Sequence, residues 1–383
     1  MNYKEMQLDN NLKAFLALVK AGLWEKQVQL SPIGEIDYNK VLRIADEQTV
    51  TGLITAGAEH VDDIKIPHEM MLQFIGSALQ IEQRNKSMNV FLGSIIQQLR
   101  NKSAYAILMK GQGIAQCYER PNWRTSGDID LLLSNDDYEM AKDVLIPLAS
   151  SVDAEQVKRK HLALTIDDWV VELHGTLQTN LWKRLEQLMD EVHREIFYNG
   201  HVRSWMNGRT QVFLPRPDED VVFVFAHILQ HFFIEGIGLR QICDWCRLLY
   251  TYRDGIDRKL LERRLRSARL MEKWKVFATF AVEYLGMPAD TIPFYSNSWR
   301  LKRKAKMVMT LVMDAGNFGQ GKDKSYKERH SKVISYSISF GKHAKDGFRR
   351  FCIFPREALL MWWKLMLHGL RGVMGISKGD AGL

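Results

Sequence analysis

The chain has 383 residues, 46% hydrophobic and 26% charged, an ordinary globular composition long enough for two or three folding units. Four cysteines, Cys117, Cys243, Cys246 and Cys352, are too few for a disulfide framework in a chain of this length, and the polar start has no signal-peptide core, so a reduced, cytoplasmic location is expected. The net charge of +8 and pI near 9.1 favour polyanionic partners such as nucleoside triphosphates, nucleic acid or an anionic membrane surface.

Residues 11–23 are apolar with helical spacing. Residues 67–99 read as one long helix, with Met71, Leu72, Ile75, Leu79, Phe91, Ile95 and Leu99 as its buried side. Residues 104–175 carry strands. The first, Tyr105 to Met109, runs into Lys110-Gly111-Gln112-Gly113, with a helical start over residues 114–118. Strand, glycine turn and helix form the geometry that presents backbone N–H groups to a phosphate. Asn135 reads as an N-cap, with Asp136, Asp137 and Glu139 suiting the dipole of a helix that ends near Leu145, before Pro147. Residues 161–166 and 169–173 are strand-like around Asp167-Asp168, a tight hairpin. Asn207-Gly208 marks a second hairpin between residues 202–206 and 210–214. After Pro215-Arg216-Pro217 every periodic segment reads as helix: from residue 218 onward, then 257–285, 298–314 and 357–370. Residues 316–324 are the most loop-like insertion. The expected fold is α+β: a small mixed sheet flanked by helices, with largely helical N- and C-terminal regions. It divides into residues 1–100 (N-terminal helical region), 101–215 (core with the sheet) and 216–383 (C-terminal helical domain).

The densest chemistry lies at Gly127-Asp128-Ile129-Asp130-Leu131-Leu132-Leu133. Carboxylates two residues apart on a strand share a face, while Ile129, Leu131 and Leu133 turn the other way into a core. Two ionised carboxylates side by side repel, and partial burial adds a desolvation cost. A divalent cation is the usual remedy, and hard oxygen donors with nothing softer nearby point to Mg²⁺. Lys110 and Arg124 are the nearest groups able to contact phosphates, the first as a point charge and the second as a fork. Glu172 follows Val170 and Val171 on a strand, where a carboxylate is costly unless paired or on metal. His174 shares its face and is placed to orient it or touch a substrate.

A strand, glycine turn and helix followed by Asp-x-Asp on the next strand resembles the polymerase-β-like nucleotidyltransferase superfamily. The string Leu108-Met109-Lys110-Gly111, then Arg124-x-x-Gly127-Asp128-Ile129-Asp130-Leu131-Leu132, resembles more narrowly a bacterial family of uncharacterised nucleotidyltransferases with members near surface-polysaccharide genes. Val171-Glu172-Leu173-His174 is similar to that family's hydrophobic-acid-Leu-His strand. His227-x-x-x-His231, Leu239 and Asp244-x-x-x-Leu248-Leu249 are similar to its downstream helical pattern. The resemblance covers residues 85–250. Three departures stand out: a longer spacing from Gly111 to Asp128, Gln112 where many superfamily members carry Ser, and Glu172 as third acid in place of Asp.

The resemblance implies an enzyme. Asp128, Asp130 and Glu172 would be its catalytic and metal-binding residues, holding two Mg²⁺ ions. Lys110, Gly111, Gln112, Arg124, Gly127 and His174 would bind nucleotide. The implied reaction moves a nucleotidyl group from an NTP to a hydroxyl or phosphate acceptor by in-line displacement. The acceptor is open among a small molecule, a polysaccharide precursor and RNA. The alternative readings are a non-catalytic nucleotide-binding or regulatory protein with the same fold and an RNA-modifying nucleotidyltransferase.

Four other features compete for attention. His227-x-x-x-His231 with Cys243-x-x-Cys246 has zinc-ligand composition, but the Glu of a metalloprotease helix is missing, so packing is expected, with His227, His231 and Asp244 as a polar wall over the pocket. Gly316-x-x-x-x-Gly321-Lys322 has the length of a P-loop, but Asp323 replaces the Ser or Thr that would ligate Mg²⁺. The basic cluster at 300–306 reads as a solvated helix face. The aromatic tail, with Phe348, Phe351, Phe354, Trp362 and Trp363 among basic residues, reads as core in preference to a peripheral membrane or nucleic-acid contact. The apolar runs at 221–233 and 358–370 are too short to span a membrane.

Overall fold

The computed structural model describes residues 9–199, 202–234, 236–316 and 346–373, with side chains described as far as residue 364. Three N-terminal helices, α1 (Asn10–Trp24), α2 (Tyr38–Glu47) and α3 (Thr51–Ala58), precede the long α4 (His68–Asn101). The sheet follows, built from β1 (Ala106–Met109), β2 (Asp128–Leu133), β3 (Ser151–Val152), β4 (His161–Ile166), β5 (Trp169–His174), β6 (Val202–Asn207) and β7 (Thr210–Pro215). Between strands lie α5 (Gly111–Ala115), α6 (Asn135–Leu145) and α7 (Lys183–Tyr198). The rest of the named elements are helices: α8 (Pro217–Phe233), α9 (Leu239–Thr251), α10 (Arg258–Ser267), α11 (Met271–Leu285), α12 (Trp299–Ala315) and α13 (Pro355–Val373). The fold is mixed α+β, as expected.

The seven strands lie in the order β3-β4-β5-β2-β1-β7-β6. Both expected hairpins form. Asp167, at φ 50, turns β4 into β5, and Gly208, at φ 58, turns β6 into β7. β2 pairs antiparallel with β1 and parallel with β5, which places the acid-bearing strand at the centre of the sheet. Alternation then assigns the two faces. Ile129, Leu131 and Leu133 pack with Leu164, Val171 and Leu173 against α4 and α6. Leu132, Ile107 and Met109 face the other way, into a core shared with α7 and α8. That second core runs from Ala14 in α1 to Met361 in α13, so the N-terminal and C-terminal helices pack together. Arg247 on α9 pins the junction: its guanidinium donates to the carbonyls of Cys117 (2.7 Å) and Leu23 (3.0 Å).

Several elements differ from expectation, each for a local reason. In the first half of α4 the buried side is Met70, Phe74 and Ala78, while Leu72 and Leu79 are 56% and 54% exposed. The apolar pattern there has two candidate stripes, and only the position of the neighbouring helices chooses between them. The cap of α6 is Ser134, which accepts from the Asp137 N–H at 3.2 Å, so Asn135 is the first helical residue. The expected helix over 257–285 is two, broken at Arg269, whose φ of 59 leaves the helical region. The aromatic tail is not core as a whole: Phe354 is fully buried, but Phe348 and Trp363 are 58% and 61% exposed. Helical spacing fixed which aromatics share a side, not whether anything covers that side. The 300–306 cluster is a helix face with ion pairs from Lys302 to Glu283 (2.9 Å) and Lys304 to Glu272 (2.5 Å). The P-loop look-alike lies outside the described residues beyond Gly316. Among the described residues no helix is long and apolar enough to cross a membrane.

Helices α1 and α3 cross at glycines. A Cβ on Gly57 would stand 2.0 Å from the Leu18 carbonyl oxygen, and one on Gly52 would stand 2.0 Å from the carbonyl oxygen of Trp123, in the loop that leads to Arg124. Backbone atoms on both sides cannot yield as a flexible side chain would. Gly57→Ala is therefore expected to cost about 1–3 kcal/mol or more, read as a lower urea midpoint at unchanged m-value. A midpoint equal to wild type would show that the helices separate freely.

Candidate active site

The site is set by strand register. Asp128 and Asp130 alternate onto the face of β2 that points at α8, and Asp130 stands opposite Glu172 on the parallel neighbour β5. The ligand oxygens of Asp128, Asp130 and Glu172 all lie within 4.8 Å of one another. The same register carries His174 next along β5, and the β4–β5 hairpin sets His161 directly across from it. These side chains form the floor of a cleft of about 380 Å³, within the size range of small-molecule sites. Its far wall is α8 and α9, which contribute His227, His231, Arg240 and Asp244.

Lys110 supplies the central cation. It ends β1 at φ 52 and ψ −144, a conformation few non-glycine residues adopt, before Gly111 at φ 45 completes the turn. The turn directs its ammonium to Asp130 Oδ1 at 3.0 Å, with His227 Nε2 at 3.5 Å. α5 begins at Gly111 itself and is only five residues long. A Cβ on Gly113 would meet Leu214 Cδ2 at 2.6 Å, so a larger residue there would have to turn the leucine side chain aside.

Like charge and burial dominate the electrostatics. Asp128 is pushed above the usual carboxylate range by the Asp130 charge and by burial. Asp130, although burial pushes it up, is held below that range by Lys110 and by a hydrogen bond from His174 at 3.0 Å. Glu172 is likewise driven up by burial but held low by His161 (3.2 Å) and His174 (3.4 Å). Burial lowers Lys110, and the three carboxylates more than restore it. His174 follows the same pattern between Asp130 and Glu172. Two neighbouring carboxylates displaced in opposite directions form the pattern expected where two acids share a site.

Two residues expected at the nucleotide are engaged with other side chains of the protein. Arg124 lines the cleft, and its guanidinium is a bidentate partner of Asp244 on α9, at 2.8 and 2.7 Å, while Tyr118 donates to the same carboxylate at 2.8 Å. Gln112 turns its amide into the core, to Asn85 Oδ1 and Met88 Sδ, both at 3.1 Å. Gly111 borders the cleft and Gly127 sits exposed at its rim. His227 and His231 touch each other, Nε2 to Nε2 at 2.9 Å. Cys243 and Cys246 are buried free thiols, and these four side chains do not form one of the ligand groupings found among the described residues.

Sequence reasoning missed Arg240, Arg159 and His161. Arg240 donates to the Thr125 carbonyl at 2.6 Å while its buried Nε meets no protein acceptor. Arg159 lines the opposite side of the cleft. Nothing in the local pattern marks either arginine. His161 did have a signal: a two-residue turn at Asp167-Asp168 fixes a register that puts it opposite His174. It also corrects the expectation that only oxygen donors stand near the acids, since two imidazoles reach Glu172.

The chain belongs to the family of uncharacterised nucleotidyltransferases, whose family model matches residues 34–286. No curated protein and no solved structure is significantly similar to it. The match extends from just before α2 through α11, beyond the sheet that carries the acids.

The buried Arg124–Asp244 pair sets one expectation. Asp244→Asn leaves a guanidinium without its carboxylate and should destabilise the fold by about 3–5 kcal/mol. Equilibrium urea denaturation tests this, and a loss under about 1 kcal/mol would mean that water or another acceptor replaces Asp244. A second concerns pH. Burial, with Lys110 and His231 nearby, holds His227 well below its ordinary value. The unfolded chain takes up that proton near about pH 6.5 and the folded chain does not, so this contribution is present above that pH and declines below it, by at most about 1.4 kcal/mol per pH unit. The fall in stability from about pH 6.5 to 5 should therefore be shallower in His227→Gln than in wild type. Parallel curves would count against a neutral buried imidazole.

Proposed function

We propose that the protein is a metal-dependent nucleotidyltransferase that moves a nucleotidyl group from an NTP to a hydroxyl or phosphate acceptor. The observation that carries the reading is the gathering of Asp128, Asp130 and Glu172, with ligand oxygens within 4.8 Å, on the floor of a cleft beside Lys110. The donor set fits divalent ions: hard oxygens, mutual repulsion and partial burial. Bound there, two such ions, expected to be Mg²⁺, would activate the acceptor oxygen and neutralise charge on the triphosphate and leaving pyrophosphate.

The chain's own residues have separable roles. Asp128 and Asp130 hold the ions, and Glu172 completes the ligand set or takes the acceptor proton. Lys110, released from Asp130 once its negative charge is balanced, swings its ammonium to a phosphate oxygen. Arg240 offers its unpaired Nε to the same triphosphate, while Arg124 keeps the loop before β2 fixed through Asp244. The acceptor oxygen attacks the α-phosphorus, its proton leaves to Glu172 or solvent, and pyrophosphate departs on the opposite side.

Incubation with each labelled NTP, Mg²⁺ and cell extract should give a labelled acceptor whose class, small molecule, polysaccharide precursor or RNA, then follows from fractionation. Asp128→Asn and Asp130→Asn should abolish metal-dependent NTP binding without loss of fold. Glu172→Gln should keep binding and lose on the order of a hundredfold or more in turnover. Unchanged NTP affinity in both Asn variants would sink the assignment. Binding without any transfer would favour the regulatory reading.

A further inference from the structure

We propose that His161 and His174, together with Glu172, form a nitrogen–oxygen site for a borderline divalent ion of the Mn²⁺, Co²⁺ or Zn²⁺ class. The acid cluster would then have two chemically unlike halves, one of oxygens at Asp128 and Asp130 and one containing imidazole. This deepens the proposed reaction and rests on it only in taking Glu172 as shared between the halves.

The geometry is specific. Both imidazoles direct Nε2 at the same Glu172 oxygen, at 3.2 Å from His161 and 3.4 Å from His174, and their ring centroids are 4.8 Å apart. Ligand atoms about 2.1 Å from one ion at tetrahedral or octahedral angles stand about 3.0–3.5 Å apart, which matches both nitrogen–oxygen distances here. The donors of His161, Glu172 and His174 lie within 4.8 Å of one another as a trio, separate from the all-carboxylate trio that also uses Glu172. The scaffold is rigid: all three side chains rise from paired strands, His161 opposite His174 in register. Access is open, since the three side chains are 22–25% exposed along the cleft.

Donor chemistry then selects the ion. Mg²⁺ is a hard cation that prefers oxygen and water, so two imidazoles add little to its binding. Imidazole nitrogen suits Mn²⁺, Co²⁺ and Zn²⁺ in rising order. His174 Nε2 also lies 3.0 Å from Asp130 Oδ1, nearer than Glu172, so it stands between the two carboxylates. Two imidazole nitrogens from different strands thus stand among carboxylate oxygens on one floor, the mixed donor set that such an ion takes.

The test uses the full-length protein, stripped with chelator and titrated with Mn²⁺ alone, without nucleotide. Electron spin-echo envelope modulation should show ¹⁴N coupling from imidazole at one equivalent. His161→Gln/His174→Gln should lose that modulation and about tenfold or more in Mn²⁺ affinity, a larger loss than for Mg²⁺. Asp128→Asn should keep the nitrogen signal. Wild-type protein that binds Mn²⁺ without ¹⁴N modulation, or binds none, would overturn the proposal and leave the histidines as hydrogen-bond donors to Glu172. The wild-type spectrum decides this even if a variant folds poorly. Labelled-NTP transfer with Mg²⁺ is read separately, so a silent spectrum with intact transfer rejects the nitrogen site alone. A ¹⁴N signal without transfer rejects the reaction alone.

Discussion

Three carboxylates held within a few ångströms in a partly dehydrated cleft are the constraint that the surrounding structure answers. Left alone they would protonate or force the strands apart. The chain meets them with a strained lysine at the end of β1, two histidines from the β4–β5 hairpin, and a wall of helices across the cleft. Lys110 is central because, among the described residues, it is the ammonium paired with the most buried of the three acids. Its backbone conformation is costly by itself and is stabilised by the pairing it permits.

Behind this first ring lies another whose task is position. Asp244 on α9 holds Arg124 and Tyr118, and Asn85 on α4 accepts from Gln112 and donates to the carbonyls of Asn122 and Arg124. The loop before β2 is thereby clamped from two sides by buried polar groups with matched partners, the arrangement in which such groups rigidify a structure rather than weaken it. Glycine contacts between α1 and α3, and between α3 and the same loop, carry the restraint to the N-terminal helices. The family match from residue 34 to 286 takes in α2, α3 and α4 before the sheet and leaves α1 outside.

Some of this was legible beforehand, and some was not. Two-residue periodicity at Asp128-Ile129-Asp130 assigned the acids and the leucines to opposite faces, and the Asp167-Asp168 and Asn207-Gly208 turns defined both hairpins, because strand alternation and turn chemistry are local. The side of α4 that Leu72 and Leu79 occupy, the division of residues 257–285 into two helices, and the exposure of Phe348 and Trp363 were misread. In each case the pattern allows more than one arrangement, and only neighbours distant in sequence decide.

Sequence alone determined the chemical inventory of the site: two acids on one strand, a third acid beside a histidine on another, and a lysine before a glycine turn. It also determined which of these share a strand face, since a period of two admits no other answer. Tertiary structure alone decided the pairings. The Arg124 guanidinium pairs with Asp244, 120 residues away, on the wall of the cleft. Gln112 turns inward, Arg240 comes forward, and His161 meets Glu172. A side chain's partner is settled by which elements pack together. That depends on how the whole chain shares its burial, and short-range spacing carries no record of it.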